Sequence, residues 1–161
     1  MHRYVKKWLF GVTITAALCG TVLANESPLV GAWRLVGYQV ESQATLERIP
    51  AMGSHPSGRV IFTADHRVAF VLTGEGRKAG STDAQKAVLL NTLVAYTGIE
   101  RVEGNRWCTQ VEAAWNPDWV GTEQCRDFEV KGDTLEVLTP WREMPNWPGI
   151  TRSIITFERD K

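Results

Sequence analysis

A cysteine pair and one arginine are the residues whose types and spacing most readily suggest chemistry. Cys108 and Cys125 flank the turn-forming pair Asn116 and Pro117, so a hairpin that turns there places the two cysteines opposite each other. The face that carries the cysteines is charged, which indicates the outside of the molecule. In an oxidising compartment these two cysteines are expected to form a structural disulfide.

The same register places Arg126 directly across from Trp107 on the inner face, beside Gln124 and Thr122. A guanidinium over an indole ring gains about 0.5–2 kcal/mol. An inward arginine is costly unless it meets a partner. Two interpretations follow: a core arginine stacked on tryptophan, or an arginine that orients a ligand carboxylate or enolate.

Other candidate catalytic groups are weak. Asp118 and Glu123 lie near the turn and suit a base, although solvated turn carboxylates are far commoner. The segment 74–81 fails as a phosphate-binding loop because no lysine follows its last glycine. Only two histidines follow the N-terminal region, and neither has a spaced partner, so we predict no metal site and no cofactor.

The N-terminal residues 1–24 have the pattern of a secretory signal peptide. Arg3, Lys6 and Lys7 form a positive region, and an uncharged apolar run then ends at Ala24, which predicts cleavage before Asn25. The alternatives are an uncleaved anchor and lipid attachment at Cys19. We expect an exported protein, periplasmic or secreted, with no stable membrane insertion after cleavage.

Cleavage changes the charge of the chain. The whole sequence balances 18 basic and 18 acidic residues, and removal of 1–24 leaves 15 basic against 18 acidic residues. Such a mildly acidic domain has no electrostatic surface for nucleic acid. Residues 25–161 suit one domain. The sequence carries no prediction of oligomeric state.

The elements that must position these residues are mostly strands. Short β-rich runs separated by turn signals indicate an all-β, mainly antiparallel domain. Thr82 and Gln85 form a capping signal for one helix, from about 82 to 96, whose apolar face should lie against the domain. The eight predicted strands are 29–40, 58–63, 67–73, 97–102, 106–115, 120–130, 134–139 and 150–158, with the helix between strands three and four.

Several segments resemble one family. Residues 29–35, with Gly31 and Trp33, resemble the G-x-W opening strand of lipocalins in the form seen in bacterial and fungal lipocalin-like domain proteins. The segments 58–63, 95–98 and 116–128 resemble the same family in the same order. The resemblance implies an eight-stranded up-and-down barrel of the calycin type that binds a small hydrophobic molecule.

The resemblance also implies residue roles. In lipocalins an arginine from a late strand usually covers the G-x-W tryptophan, so Trp33 and Arg152 are predicted as a structural pair. A histidine that the family often carries in the strand 106–115 is absent here, so histidine chemistry is not carried over.

The surplus of aromatic residues and the inferred lumen identify a set of ligand-binding candidates. The cluster of Trp141, Met144, Pro145, Trp147 and Pro148 is interpreted either as a lid packed on the barrel end or as an apolar gate. The predicted ligand-binding residues are Tyr38, Phe62, Phe70, Tyr96, Trp107, Trp115, Trp119, Gln124, Arg126, Trp141 and Trp147.

Three functions remain open on these grounds. The first is an exported protein that binds a small hydrophobic or aromatic molecule in the barrel. The second is a barrel enzyme, an isomerase, cyclase or hydrolase of a small apolar metabolite. The third is a filled barrel that acts through its surface.

Overall fold

The computed structural model describes residues 27–144 and 147–161. The predicted signal peptide and Pro145 lie outside this range. Within the described residues, no helix combines the length and the apolar character needed to span a bilayer.

The described chain forms strands with one α-helix and one short 3-10 turn, Pro117–Trp119. The helix is α1 (Asp83–Leu90). The strands are β1 (Gly31–Ser42), β2 (Arg48–Pro50), β3 (Ser57–Phe62), β4 (Arg67–Thr73), β5 (Leu93–Glu103), β6 (Arg106–Ala114), β7 (Glu123–Lys131), β8 (Thr134–Leu138), β9 (Arg142–Glu143) and β10 (Ile150–Arg159).

Eight long strands close into an antiparallel barrel. The pairing runs from β1 through β3, β4, β5, β6, β7 and β8 to β10, and β10 pairs again with β1. The two short strands β2 and β9 extend the pairing beside β1 and β10. The prediction of an eight-stranded up-and-down barrel is confirmed. Closure leaves the long strands with hydrogen-bonding partners on both sides.

The two ends of the barrel differ. At one end, here called the closed end, the strands are joined by tight turns at 63–66, 104–105 and 132–133. At the other, the open end, they are joined by the longer segments 43–56, 74–92 and 115–122. The interior towards the closed end is filled by side chains that are almost fully buried, namely Trp33, Phe62, Trp107, Leu135 and Phe157.

Trp33 is the central side chain of the closed end. Its indole Nε1 donates to the Leu29 carbonyl at 2.7 Å, and the Arg159 guanidinium lies 4.0 Å from its ring centre. The predicted pairing of Trp33 with Arg152 is wrong, because the register places Arg159 opposite Trp33 and Arg152 opposite Glu41. Arg152 instead donates to the Glu41 carboxylate at 2.6 Å.

The helix begins as predicted and ends early. Thr82 and Gln85 form the capping box, but the helix stops at Leu90 instead of continuing to Tyr96. Residues from Leu93 onwards pair with β4, so the predicted helical segment 93–96 is strand. None of the helix residues is buried, which corrects the prediction that its apolar face packs on the domain. The helix was predicted to follow the third strand. Because the short strand β2 was not predicted, the strand before the helix is the fourth one, β4.

Candidate functional site

The β6–β7 hairpin has the predicted register. Cys108 pairs with Cys125 across the hairpin and the two form a disulfide, while Trp107 pairs with Arg126. Trp107 and Arg126 are buried, as the prediction of an inner face requires. A carboxylate oxygen of Glu123 lies within 4.8 Å of both cysteine sulfurs, as in a group of metal ligands. The two sulfurs are bonded to each other in the disulfide and are therefore not thiolate ligands.

A bulge near the open end changes one part of that face. Thr97 pairs with Ala113 and Gly98 with Val111, so Glu112 is extra and the alternation shifts. Regular alternation from Trp107 would place Ala113 on the inner face, but Ala113 is exposed and Ala114 packs against the core instead. A Cβ at Gly98 would lie 2.0 Å from the Gln110 carbonyl oxygen, so only glycine fits beside the bulge.

A cavity of about 310 Å³ lies at the open end. Strands β1, β5 and β9 and the end of α1 supply lining residues, and the segments after β2, α1, β6 and β9 supply the others. Its lining is largely apolar and aromatic. The lining residues are Tyr38, Val40, Ala51, Met52, Leu90, Asn91, Leu93, Val94, Trp115, Asn116, Trp119, Arg142, Glu143, Met144 and Trp147.

One wall of the cavity is held by polar contacts. The Tyr38 hydroxyl and Ser153 Oγ lie 2.8 Å apart, and Ser153 Oγ is 3.8 Å from the Met144 sulfur. Strand β10 therefore fixes one cavity side chain from β1 and one from the segment after β9. These contacts preorganise this wall without involving a ligand.

An aromatic row leads from the opposite wall into the core. The rings of Trp115 and Trp119 are 5.9 Å apart, Trp119 is 6.0 Å from Tyr96, and Tyr96 stacks on Phe70 at 5.0 Å. The 3-10 turn positions Trp119, and the Asn116 side chain caps this turn by accepting from the Asp118 amide at 3.0 Å. Offset and edge contacts of this kind favour a well-defined geometry.

Arg126 lies beneath this row. Its guanidinium carbon is 5.1–5.7 Å from the ring centres of Phe70, Tyr96 and Trp107, and the residue is only 5% exposed. Nη1 donates to the Gln124 carbonyl at 3.3 Å. Nε and the Tyr96 hydroxyl have no hydrogen-bond partner among the described residues. The stacked arrangement was predicted, and the arginine also retains free donor capacity.

Burial affects the titration of this group of residues. It raises the pKa of the Tyr96 hydroxyl, and the Arg126 charge offsets only part of that increase. Tyr96 is therefore a neutral hydroxyl at physiological pH, able to donate a hydrogen bond.

Arg142 is a cavity residue that the sequence reasoning missed. It lines the cavity from β9 with its side chain exposed at the mouth. Partial desolvation together with the positive charge of Arg126 lowers its pKa. Its position depends on the pairing of Arg142 with Thr151. A two-residue strand carries no alternation pattern, so the sequence contained no signal for this position.

The predicted ligand-binding residues divide into groups by position. Phe62, Phe70 and Trp107 are core residues, whereas Trp141 lies 4.4 Å from the Arg152 guanidinium and outside the cavity lining. Gln124 donates to Thr122 Oγ1. Tyr96 and Arg126 are buried and do not line the cavity, although Tyr96 contacts the lining residue Trp119. Those that line the cavity are Tyr38, Trp115, Trp119 and Trp147.

The two turn carboxylates take no part in the cavity. Glu123 pairs with Arg101 at 3.1 Å on the outside of the barrel, and Asp118 is exposed. Both therefore agree with the interpretation as solvated charges.

A closed antiparallel barrel with a tryptophan clamped at one end and a cavity at the other defines a protein of the calycin class. The family model described as a lipocalin-like domain matches residues 30–160. The chain belongs to the lipocalin-like domain family, and the predicted resemblance is confirmed. No curated protein matches the chain.

Proposed function

We propose that this protein is an exported carrier that binds a small hydrophobic or aromatic molecule in the cavity at the open end of its barrel. The cavity itself is the observation that carries the proposal. Its volume, about 310 Å³, lies at the small end of the usual range for ligand pockets, roughly 300–1,000 Å³. Its walls are mostly apolar, with few polar groups.

The indole rings support an aromatic or apolar ligand. Trp115 and Trp119 contact each other edge to face along one wall, and Trp147 lines the mouth. Large rigid rings present much apolar area with little conformational freedom to lose on binding. A flat apolar molecule is therefore the ligand class that suits these walls best.

Export remains a prediction from residues 1–24, and the Cys108–Cys125 disulfide supports it because such bonds persist in oxidising compartments. A protein recovered from a periplasmic or culture fraction should begin at Asn25 when its intact mass is measured. A mass that includes residues 1–24 would contradict cleavage.

The binding proposal is tested by titrating the mature protein with a panel of apolar probes while tryptophan fluorescence is recorded. N-phenyl-1-naphthylamine is the main probe, since it accepts energy from indole rings at short distance. We expect saturable quenching. A panel of uncharged and carboxylate-bearing probes that all fail to saturate would contradict the proposal.

A pair of matched variants locates the binding. Val94 lines the cavity, and Val71 lies on the neighbouring strand with its side chain exposed. Val94→Phe reduces the cavity volume and should weaken probe binding at least tenfold, whereas Val71→Phe should leave it unchanged. Equal effects of both variants would place binding elsewhere.

The enzyme alternative draws on Tyr96 and Arg126, a neutral hydroxyl beside a guanidinium, both buried beneath the cavity. Such a pair is able to polarise a substrate oxygen. Native mass spectrometry distinguishes the two functions. A carrier retains a co-purified small molecule, and incubating that molecule with the protein leaves the mass and structure of the molecule unchanged.

A further inference from the structure

The large apolar side chains that remain exposed are distributed unevenly over the barrel. Nine are exposed among the described residues, and three of them, Ile61, Val71 and Ile99, lie on neighbouring strands of the outer wall. The described turns of the closed end carry none of the nine. The other six lie at the open end and are here called the apolar rim: Leu46, Ile49, Val88, Leu90, Val120 and Ile150.

The apolar rim surrounds the mouth of the cavity. Four connections join the long strands at the open end, namely 43–56, 74–92, 115–122 and 139–149. The first three each carry at least one rim residue, and Ile150 directly follows the fourth. Since these connections follow one another around a closed barrel, the rim residues form a ring of separate tips.

Leu46 is the rim residue that folding explains least. Its side chain is 67% exposed, and its φ of 57° lies in the left-handed region, which glycine and asparagine adopt more readily than leucine. Backbone hydrogen bonds close this turn, from Leu46 N to the Ser42 carbonyl at 2.9 Å and from Ser42 N to the Glu47 carbonyl at 3.0 Å. These bonds require no leucine side chain, so its presence indicates a contact outside the chain.

The helix α1 adds a second apolar element to the rim. None of its residues is buried, and Val88 is 62% exposed. Its two ends are held instead. Thr82 and Gln85 cap the start, and Arg77 Nη1 donates to the Leu89 carbonyl near the end at 2.6 Å. These contacts fix the helix at the mouth and leave its apolar side chains available to another surface.

The charges of the four connections indicate what kind of surface this is. Five basic and five acidic residues balance there, so the connections have no net charge that would select an oppositely charged partner. A protein interface has a contiguous apolar core that packs against a complementary surface, whereas separate aliphatic tips need only a fluid apolar layer. The charged residues are Arg48, Arg77, Lys78, Lys86 and Arg142 against Glu47, Glu75, Asp83, Asp118 and Glu143.

We propose that the open end of the barrel docks reversibly on the surface of a lipid bilayer, with the aliphatic side chains of the apolar rim inserted among the lipid headgroups. The mouth of the cavity then opens towards the membrane. Docking requires no ligand in the cavity, so it is independent of the proposed carrier function.

The test is cosedimentation of the mature protein with phosphatidylcholine vesicles and with vesicles that also contain phosphatidylglycerol. The mature form is used because the apolar residues 1–24 would themselves bind lipid. We expect saturable binding to phosphatidylcholine that the anionic lipid does not strengthen, since the connections have no net charge. Binding to neither vesicle, or only to the anionic one, would overturn the proposal.

Matched double variants locate the contact. Leu46→Asn/Val88→Gln should lower the partition coefficient at least about tenfold, because two aliphatic side chains no longer leave water. Its thermal stability should not fall, since asparagine suits the turn and glutamine suits the helix. The control Ile61→Thr/Val71→Thr removes two exposed aliphatic side chains from the outer wall and should bind as the unchanged protein does. Equal losses in both variants would overturn the rim as the docking surface.

A second copy of the chain is the alternative occupant of the rim. Sedimentation velocity without lipid should show a monomer. A dimer that Leu46→Asn/Val88→Gln dissociates, together with no binding to vesicles, would overturn the bilayer in favour of self-association.

Discussion

Arginine side chains serve three different purposes in this barrel. Arg159 covers Trp33 at the closed end and donates to the carbonyls of Val30 and Pro28 at 2.9 and 3.0 Å. Arg152 and Arg48 enclose the Glu41 carboxylate on the outer wall. Arg126 instead lies against the rings of Phe70, Tyr96 and Trp107 in the interior of the barrel.

Arg159→Met should lower the free energy of unfolding by about 1–2 kcal/mol, because it removes the stacked charge and two hydrogen bonds to carbonyls. Urea denaturation followed by fluorescence measures the change. Arg34→Met, which removes an exposed ion pair to Glu158, is the control and should change the free energy by less than about 1 kcal/mol. If Arg34→Met lowered the free energy of unfolding more than Arg159→Met did, a special role of Arg159 at the closed end would be contradicted.

Glu41 should make stability depend on acid. Burial raises its pKa, but the hydrogen bonds and charges of Arg48 and Arg152 outweigh this, so the pKa is lowered from 4.5. A lowered pKa in the folded state contributes stability above the unfolded value and loses it as the pH falls through the folded value.

Below about pH 4.5, Glu41→Gln should therefore lose less stability per pH unit than the unchanged protein. Urea midpoints between pH 3 and 7 measure this slope. Glu47→Gln, at an exposed carboxylate that forms no ion pair among the described residues, should preserve the original slope. Identical slopes in all three proteins would contradict a lowered pKa at Glu41.

At the scale of elements, the β6–β7 hairpin was predictable because independent signals coincide within one short segment. Cysteine spacing, the turn at Asn116 and the polarity of both faces all specify one register, and that register is observed. The end of α1 was not predictable from local pattern. The helix ends before Leu93 because Leu93 pairs with Thr73 on β4. Local helix propensity carries no information on such a contact between distant segments.

The incorrect pairing predicted for Arg152 has the same cause. Both late arginines lie on β10, and only the pairing register with β1 decides that Arg159 reaches Trp33. Arg142 and Met52 line the cavity from a short strand and a loop. Their positions also depend on contacts between segments and not on a local sequence pattern. Sequence pattern predicts barrel walls well and barrel mouths poorly, because mouths are assembled from non-periodic segments.

The disulfide should stabilise the hairpin without serving the cavity. It closes a segment of 17 residues, so the double variant Cys108→Ala/Cys125→Ala should lose about 3 kcal/mol of unfolding free energy. Urea denaturation gives the loss, and probe titration of the folded variant should give an unchanged affinity. A weakened affinity with an intact fold would contradict the purely structural role.

At the scale of the whole molecule, one half of the barrel is filled and the other contains a cavity. The half towards the closed end is filled by aromatic and aliphatic side chains, and the open end contains the cavity. Arg126 and Tyr96 are buried in the interior and have unused donors. Ligand pockets at the mouths of barrels are a common arrangement, because the rigid walls position a few polar groups accurately.

Binding at the open end is measured most directly by the tryptophan indole NH signals in a nitrogen-15 NMR spectrum of the mature protein. At saturation, 2-(1-naphthyl)ethanol should shift the signals of Trp115, Trp119 and Trp147, which line the cavity, and leave those of Trp33 and Trp141 in place. Individual Trp→Phe variants assign the signals. Shifts confined to Trp33 or Trp141, or none at saturating probe, would contradict binding in the open end of the barrel.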